Sequence, residues 1–221
     1  MADARPAASL PATIDAALDA LIAEHAQDPE VTAAARREYE DRRGKVHQDE
    51  ELWERWSAAF VEWFVIERVG PGADGPPALA TWRRLHRAGD PGAAALAALL
   101  RSHRSIFEVE HMGAGVVGLV DLLGGAQFQV DEPRVLHGVE VGDLVEMRLV
   151  GLADQVVFAR TFIFHPTAAR SAILEQARHH LARGAARRDI VDLIASLRVK
   201  ITRYRHVAPA RVYELGSKVG V

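Results

Sequence analysis

Two periods divide the chain. Apolar residues recur every three or four positions on both flanks, and alternate with polar ones through the middle, from Ser105 to His165. The first pattern predicts helices that bury one face, and the second predicts strands. Helices are expected from Thr13, with Ile14, Leu18, Leu21 and Ile22 inward and Thr13 as cap. A second is expected from Pro29 to Arg43, stopped by Gly44, and a third from an Asp49 cap to the Gly70-Pro71-Gly72 break. The loop Gly70–Pro77 leads to a helix over Leu79–Arg87. Gly89-Asp90-Pro91-Gly92 then separates it from an Ala/Leu helix running from Ala93 to His103.

The middle reads as five short strands. Ile106, Phe107 and Val109 alternate with Glu108 and Glu110, and Val116–Leu123 follows a Gly113-Ala114-Gly115 turn. Gly124-Gly125 turns into Phe128 and Val130, Pro133–Glu140 connects, and Leu144–Leu152 and Val156–Phe164 complete the set around Asp154-Gln155. Past His165-Pro166, helices are expected over Ala168–Ala182 and Arg187–His206, with a short strand at Val212–Leu215. The fold class expected is α+β: an N-terminal helical bundle, a central five-stranded antiparallel barrel-like meander, and two C-terminal helices. The segments are a disordered 1–12, helices over 13–104, the β-module over 105–165, and basic-faced helices over 166–221.

Three of four tryptophans, Trp53, Trp56 and Trp63, share a helix face with Phe60 and Phe64. That stripe could stack on a ligand, but at helical spacing it reads as core. Composition adds little: 49% hydrophobic and 26% charged residues describe an ordinary globular chain. No apolar run spans a membrane and the first residues lack a signal core, so a cytoplasmic protein is expected. The absence of cysteine excludes thiolate chemistry.

Candidate chemistry is sparse. Gly113-Ala114-Gly115-Val116-Val117-Gly118 satisfies a dinucleotide fingerprint, yet the preceding strand is charged and no βαβ units follow, so these read as hairpin glycines. The ten histidines show no metal-ligand spacing, and Glu62 and Glu67, five apart on their helix, are expected to diverge. No catalytic, cofactor-binding or metal-binding residue is assigned, and no cofactor is expected.

Charge is the remaining signal. Residues 1–169 carry 16 Lys/Arg against 26 Asp/Glu, and residues 170–221 carry 11 against 4. Arg187, Arg188, Arg198, Lys200, Arg203, Tyr204 and Arg205 form a possible polyanion-binding set beside the stripe Ile190, Ile194, Leu197, Ile201. The alternative is a solvated face or one that clasps the acidic body.

FVEWFVIER, SIFEVEHMGAG, VGLVDLLGGAQFQVDEP and VEVGDLVEMRLV, between Glu50 and His165, resemble a poorly characterised bacterial family with an aromatic EWF helix and a small β-barrel-like module. Some of its members carry a Cys-rich SEC-C zinc tail; the lack of cysteine here removes that inference. The resemblance implies a scaffold and no activity. The function expected is a non-catalytic binding or adaptor protein that meets nucleic acid through the β-module rim and basic helix. A protein–protein adaptor, or an enzyme whose site only folding assembles, is the alternative.

Overall fold

The computed structural model describes residues 9–204 and 206–218, without the side chains of residues 217 and 218. Five helices come first: α1 (Leu10–His25), α2 (Pro29–Arg43), α3 (Trp53–Ile66), α4 (Pro77–Arg87) and α5 (Ala93–Leu100). The strands are β1 (His103–Gly113), β2 (Val116–Asp121), β3 (Gln127–Asp131), β4 (Leu144–Leu152) and β5 (Gln155–His165). They are followed by α6 (Arg170–Ala182), α7 (Arg187–Arg203) and the short α8 (Pro209–Glu214).

Helix boundaries follow the available caps. Ser9, not Thr13, caps α1, its hydroxyl accepting from the Ala12 amide at 3.4 Å. Asp28 accepts from the Glu30 and Val31 amides and starts α2 at Pro29. Gly44 ends α2 at φ +91, a conformation disfavoured for other residues, and a Cβ there would lie 3.3 Å from Val199. The end of α2 therefore meets α7 closely. α3 begins at Trp53 rather than after Asp49, because turns occupy Glu50–Leu52 and the Glu50 carboxylate accepts from the His47 amide. α5 stops at Leu100 and β1 takes over at His103, so the last position of the expected helix is strand. The expected strand at Val212–Leu215 is instead the end of α8 and a 3-10 turn, its Val212 and Tyr213 buried side by side.

All five strands form one antiparallel sheet in the order β3-β2-β1-β4-β5, which is not closed into a barrel. Two hairpin groups thus meet along β1 and β4, and the connector 132–143 carries the chain from one edge back across the sheet. β1 serves both groups: His103–Glu108 pairs with β4 and Phe107–Gly113 with β2, with a bulge between Val109 and His111 that breaks the alternation at Glu110. The glycine motif closes the β1–β2 hairpin, Gly113 facing Val116 across Ala114-Gly115. At the β4–β5 turn Ala153 and Asp154 both take positive φ, as a two-residue hairpin with the sheet's twist requires.

The sheet is covered on both faces. One face gathers Phe107, Val109, Val117, Leu119, Val130, Val145, Met147, Leu149 and Phe158 into a core internal to the β-module, partly capped by Leu136 and Val139 of the connector. The other face meets helices: Val150, Val157, Ala159 and Ile163 join the α1–α3 core around Trp56, Phe60 and Trp63, and Ile106 and Leu144 join α6, α7 and α8. The tryptophan stripe is core, with Trp56 and Trp63 buried and Tyr39 packed edge-on to Trp56 and Phe60.

Candidate functional site

The helix-facing side of the sheet contains an ionic junction. On β4 the residues Val145, Met147 and Leu149 point into the β-module, which sends Glu146 and Arg148 to the opposite face. Arg104 of β1 sits directly across from Arg148. Both faces being covered, these charges are met by counterions from helices. Arg43, the last residue of α2 and 1% exposed, donates to Glu146 at 2.7 and 2.9 Å and to Asp192 of α7 at 2.9 Å. Arg104 reaches Glu146 at 3.0 Å, Asp192 at 3.0 Å and Glu67 at 2.9 Å. Arg148 donates to Glu67 and to the Ser102 hydroxyl, and lies 3.5 Å from Glu62. Glu62 and Glu67 thus converge on one guanidinium instead of diverging: Glu67 lies one residue past the end of α3, so the helical spacing no longer governs it.

Three arginines and four carboxylates share this junction. Burial opposes ionisation of Glu67, but Arg104 and Arg148 outweigh it and hold the carboxyl near a pKa of about 2. Glu146 is likewise lowered, burial being overcome by Arg43 and Arg104. At Glu62 burial wins over Arg148 and the pKa rises. Of the four carboxylates, Glu62 is thus the one whose charge burial disfavours most against its partners. The junction ties α2, α3, β1, β4 and α7 together.

The residues expected to bind a polyanion are distributed rather than gathered. α7 is buried on most sides between Ile190 and Val199. Arg187 pairs with Asp121, whose carboxylate also accepts from Ser105, His103 and the Leu123 amide and so holds the Leu122–Gly125 turn. Arg198 donates to the Phe164 carbonyl at 2.7 Å and Arg203 to the Lys45 carbonyl at 2.7 Å. Arg188 is exposed beside Asp189, Tyr204 is half exposed, and Arg205 lies outside the described residues. Lys200 and Arg203 line a groove of about 470 Å³ between α2 and α7 together with Arg42, but Asp41, Asp189 and Asp192 line it too.

A second groove, about 380 Å³, has a different character. It lies between the connector and β5, lined by Arg55, Arg134, His137 and Arg160 with Leu136, Phe162 and Phe164, and no carboxylate is in its lining. Arg134 is tied to Glu132 and Arg160 to Asp15 and Asp19. Arg55 has no ion pair among the described residues and lies over the Phe164 ring, 5.2 Å from its centre. Val135 at the rim is 78% exposed, and Val141, further along the same connector, is 61% exposed. The polar/apolar pattern marked this connector only as a link; its exposed valines were the available signal.

Among the described residues no three His, Asp or Glu side chains come together as metal ligands could, and no helix is long and apolar enough to cross a membrane. No curated protein and no solved structure matches the chain. The profile of a family of unknown function, DUF7986, matches residues 17–193, which takes in α1 from its middle, the whole sheet, α6 and the first part of α7. On that match the chain belongs to the DUF7986 family of unknown function.

Proposed function

We propose that this protein is a non-catalytic binding module that docks another protein through the groove between the connector and β5. The observation that carries the reading is the combination in that groove of a cationic lining without a carboxylate, a Phe162/Phe164 floor, and the outstanding Val135. An exposed apolar side chain beside an arginine that lies over an aromatic ring is the kind of surface that protein interfaces use. With Arg134 and Arg160 already paired, the unpaired positive charge of the lining falls chiefly to Arg55, enough for one carboxylate and too little for a run of phosphates. The occupant that fits is a short segment with an acidic residue next to an apolar one. Contact with nucleic acid is less well supported, because Arg187, Arg198 and Arg203 are engaged within the chain.

The test is a fluorescence titration with short peptides that each set one Asp or Glu beside Leu, Phe or Trp, run against an oligothymidylate. Saturable peptide binding is expected, weakened about tenfold or more by Arg55→Glu and by Val135→Asp. Peptides that bind neither tightly nor selectively would sink the reading. Salt-sensitive oligonucleotide binding that survives both substitutions and is lost in Arg188→Ala/Lys200→Ala would replace it with nucleic-acid contact.

A further inference from the structure

The ionic junction holds two buried donors for which the described residues supply no acceptor. Arg43 donates from Nη1 to Asp192 and from Nη2 to Glu146, and its Nε is buried without a hydrogen-bond partner. Arg148 is in the same position. Its Nη1 and Nη2 donate to Ser102 and Glu67, while its buried Nε lies 3.5 Å from Glu62 Oε2, too far for a good hydrogen bond. A buried N–H left unmatched costs more than an ordinary hydrogen bond returns, so two of them in one junction require a reason. Both residues line the same cavity of about 10 Å³, together with Arg104, Glu62, Glu146 and Ala59.

We propose that this cavity is a binding site for a single water molecule, which accepts from Nε of Arg43 and of Arg148 and donates to Glu62 and Glu146. The volume is that of one water. The lining selects water over an ion. A halide would accept from both Nε atoms but would also meet the Glu62 and Glu146 oxygens. A metal cation would suit the carboxylates but would meet three guanidinium groups in the same walls. A neutral molecule with two lone pairs and two protons matches donors and acceptors together and adds no charge. The water also completes the network. Arg43 pairs with Glu146 and Asp192, and Arg148 with Glu62 and Glu67; among the described residues only Arg104 joins these two groups directly. A water shared by the two Nε atoms is a second connection between them.

The experiment is a crystal structure of the full chain grown without halide, and a second after transfer into bromide. One peak about 2.7–3.2 Å from both Nε atoms is expected, the same in both crystals and without anomalous scattering from bromine. An anomalous peak at that place would make it an anion site and overturn the proposal. A map that shows other buried waters but no density within reach of the two Nε atoms would overturn it too. Ala59→Val adds two methyl groups at the cavity wall, and its crystals should lose the peak. A peak that persists there places the bound species outside this cavity, which also overturns the proposal.

Discussion

The two faces of β4 solve burial in opposite ways. Toward the β-module, Val145, Met147 and Leu149 pack against Phe107 and Phe158 with no polar atom to satisfy. Toward the helices, Glu146 and Arg148 alternate with Leu144 and Val150 and are covered just as completely. The apolar face depends on shape and gains roughly 25 cal/mol per Å² removed from water. The ionic face depends on completeness: each charge is tolerable only while its partners from α2, α3 and α7 stay in place. An apolar face can lose one group and leave a cavity, whereas the ionic face cannot lose one without stranding another.

The largest effect expected on this contrast is at Arg43. Arg43→Met leaves the buried Glu146 and Asp192 to share Arg104 alone and should cost about 3–5 kcal/mol in urea unfolding. Adding Glu146→Leu should recover part of that loss, giving a double-mutant coupling of opposite sign to the single costs. Two independent losses that simply add would break the picture of one coupled junction.

Acid comes next. Burial lowers the His165 pKa from 6.5 to about 4, so the unfolded chain takes up that proton first. The His165 contribution should be full above about pH 6.5 and fall by about 3 kcal/mol as the pH drops toward 4. Below 4.5 the loss should steepen, because Glu67 with its pKa of about 2 is protonated more readily in the unfolded chain. In His165→Gln the upper part of this descent should flatten while the lower part remains. A variant with the wild-type profile in chemical denaturation would show that His165 is not its source.

On the apolar face Met147→Leu should cost less than about 1.5 kcal/mol, a change of shape at nearly constant volume. The near-isosteric Glu146→Gln on the neighbouring position should cost more, as it removes the charge that Arg43 and Arg104 require. Equal losses would erase the distinction between the faces.

The smallest effect expected is at Glu62. Its raised pKa means that it folds best while neutral, so its contribution is present at low pH and is lost as the pH rises through the folded value. Glu62→Gln should cost less than Glu67→Gln, which should cost about 3 kcal/mol, because burial disfavours the charge on Glu62 whereas Arg104 and Arg148 favour it on Glu67. Comparable losses at both positions would show that burial does not set Glu62 apart from Glu67.

Much of the fold is legible from local signals. The caps at Asp28 and Pro29, the stop at Gly44 and the strand turns at Ala114-Gly115 and Gly124-Gly125 lie where residue type requires them. The failures are also local. Thr13 and Asp49 are adequate caps that lose to Ser9 and to the Glu50–Leu52 turns, and Val212–Tyr213 have strand-like side chains but are helical because Tyr213 must reach His165. The candidate groove was hidden for another reason. The connector carries Val135 and His137 over β5 only because β4 pairs with β1 and not β3, which is a choice of strand order.

The sequence by itself determined most of the helices and the five strands of the sheet, that the tryptophans of α3 belong to the core, and that the glycine motif is a hairpin. Each of these depends on backbone preference or on a period along the chain, and both are local. Tertiary structure alone decided that alternating charges on β4 point inward, that Glu62 and Glu67 meet at Arg148, and that the cations of α7 are mostly engaged within the chain. A period of two separates the faces of a strand but does not say what covers each face. That depends on helices distant in sequence, through a pairing such as Arg43 with Glu146 that no local pattern encodes.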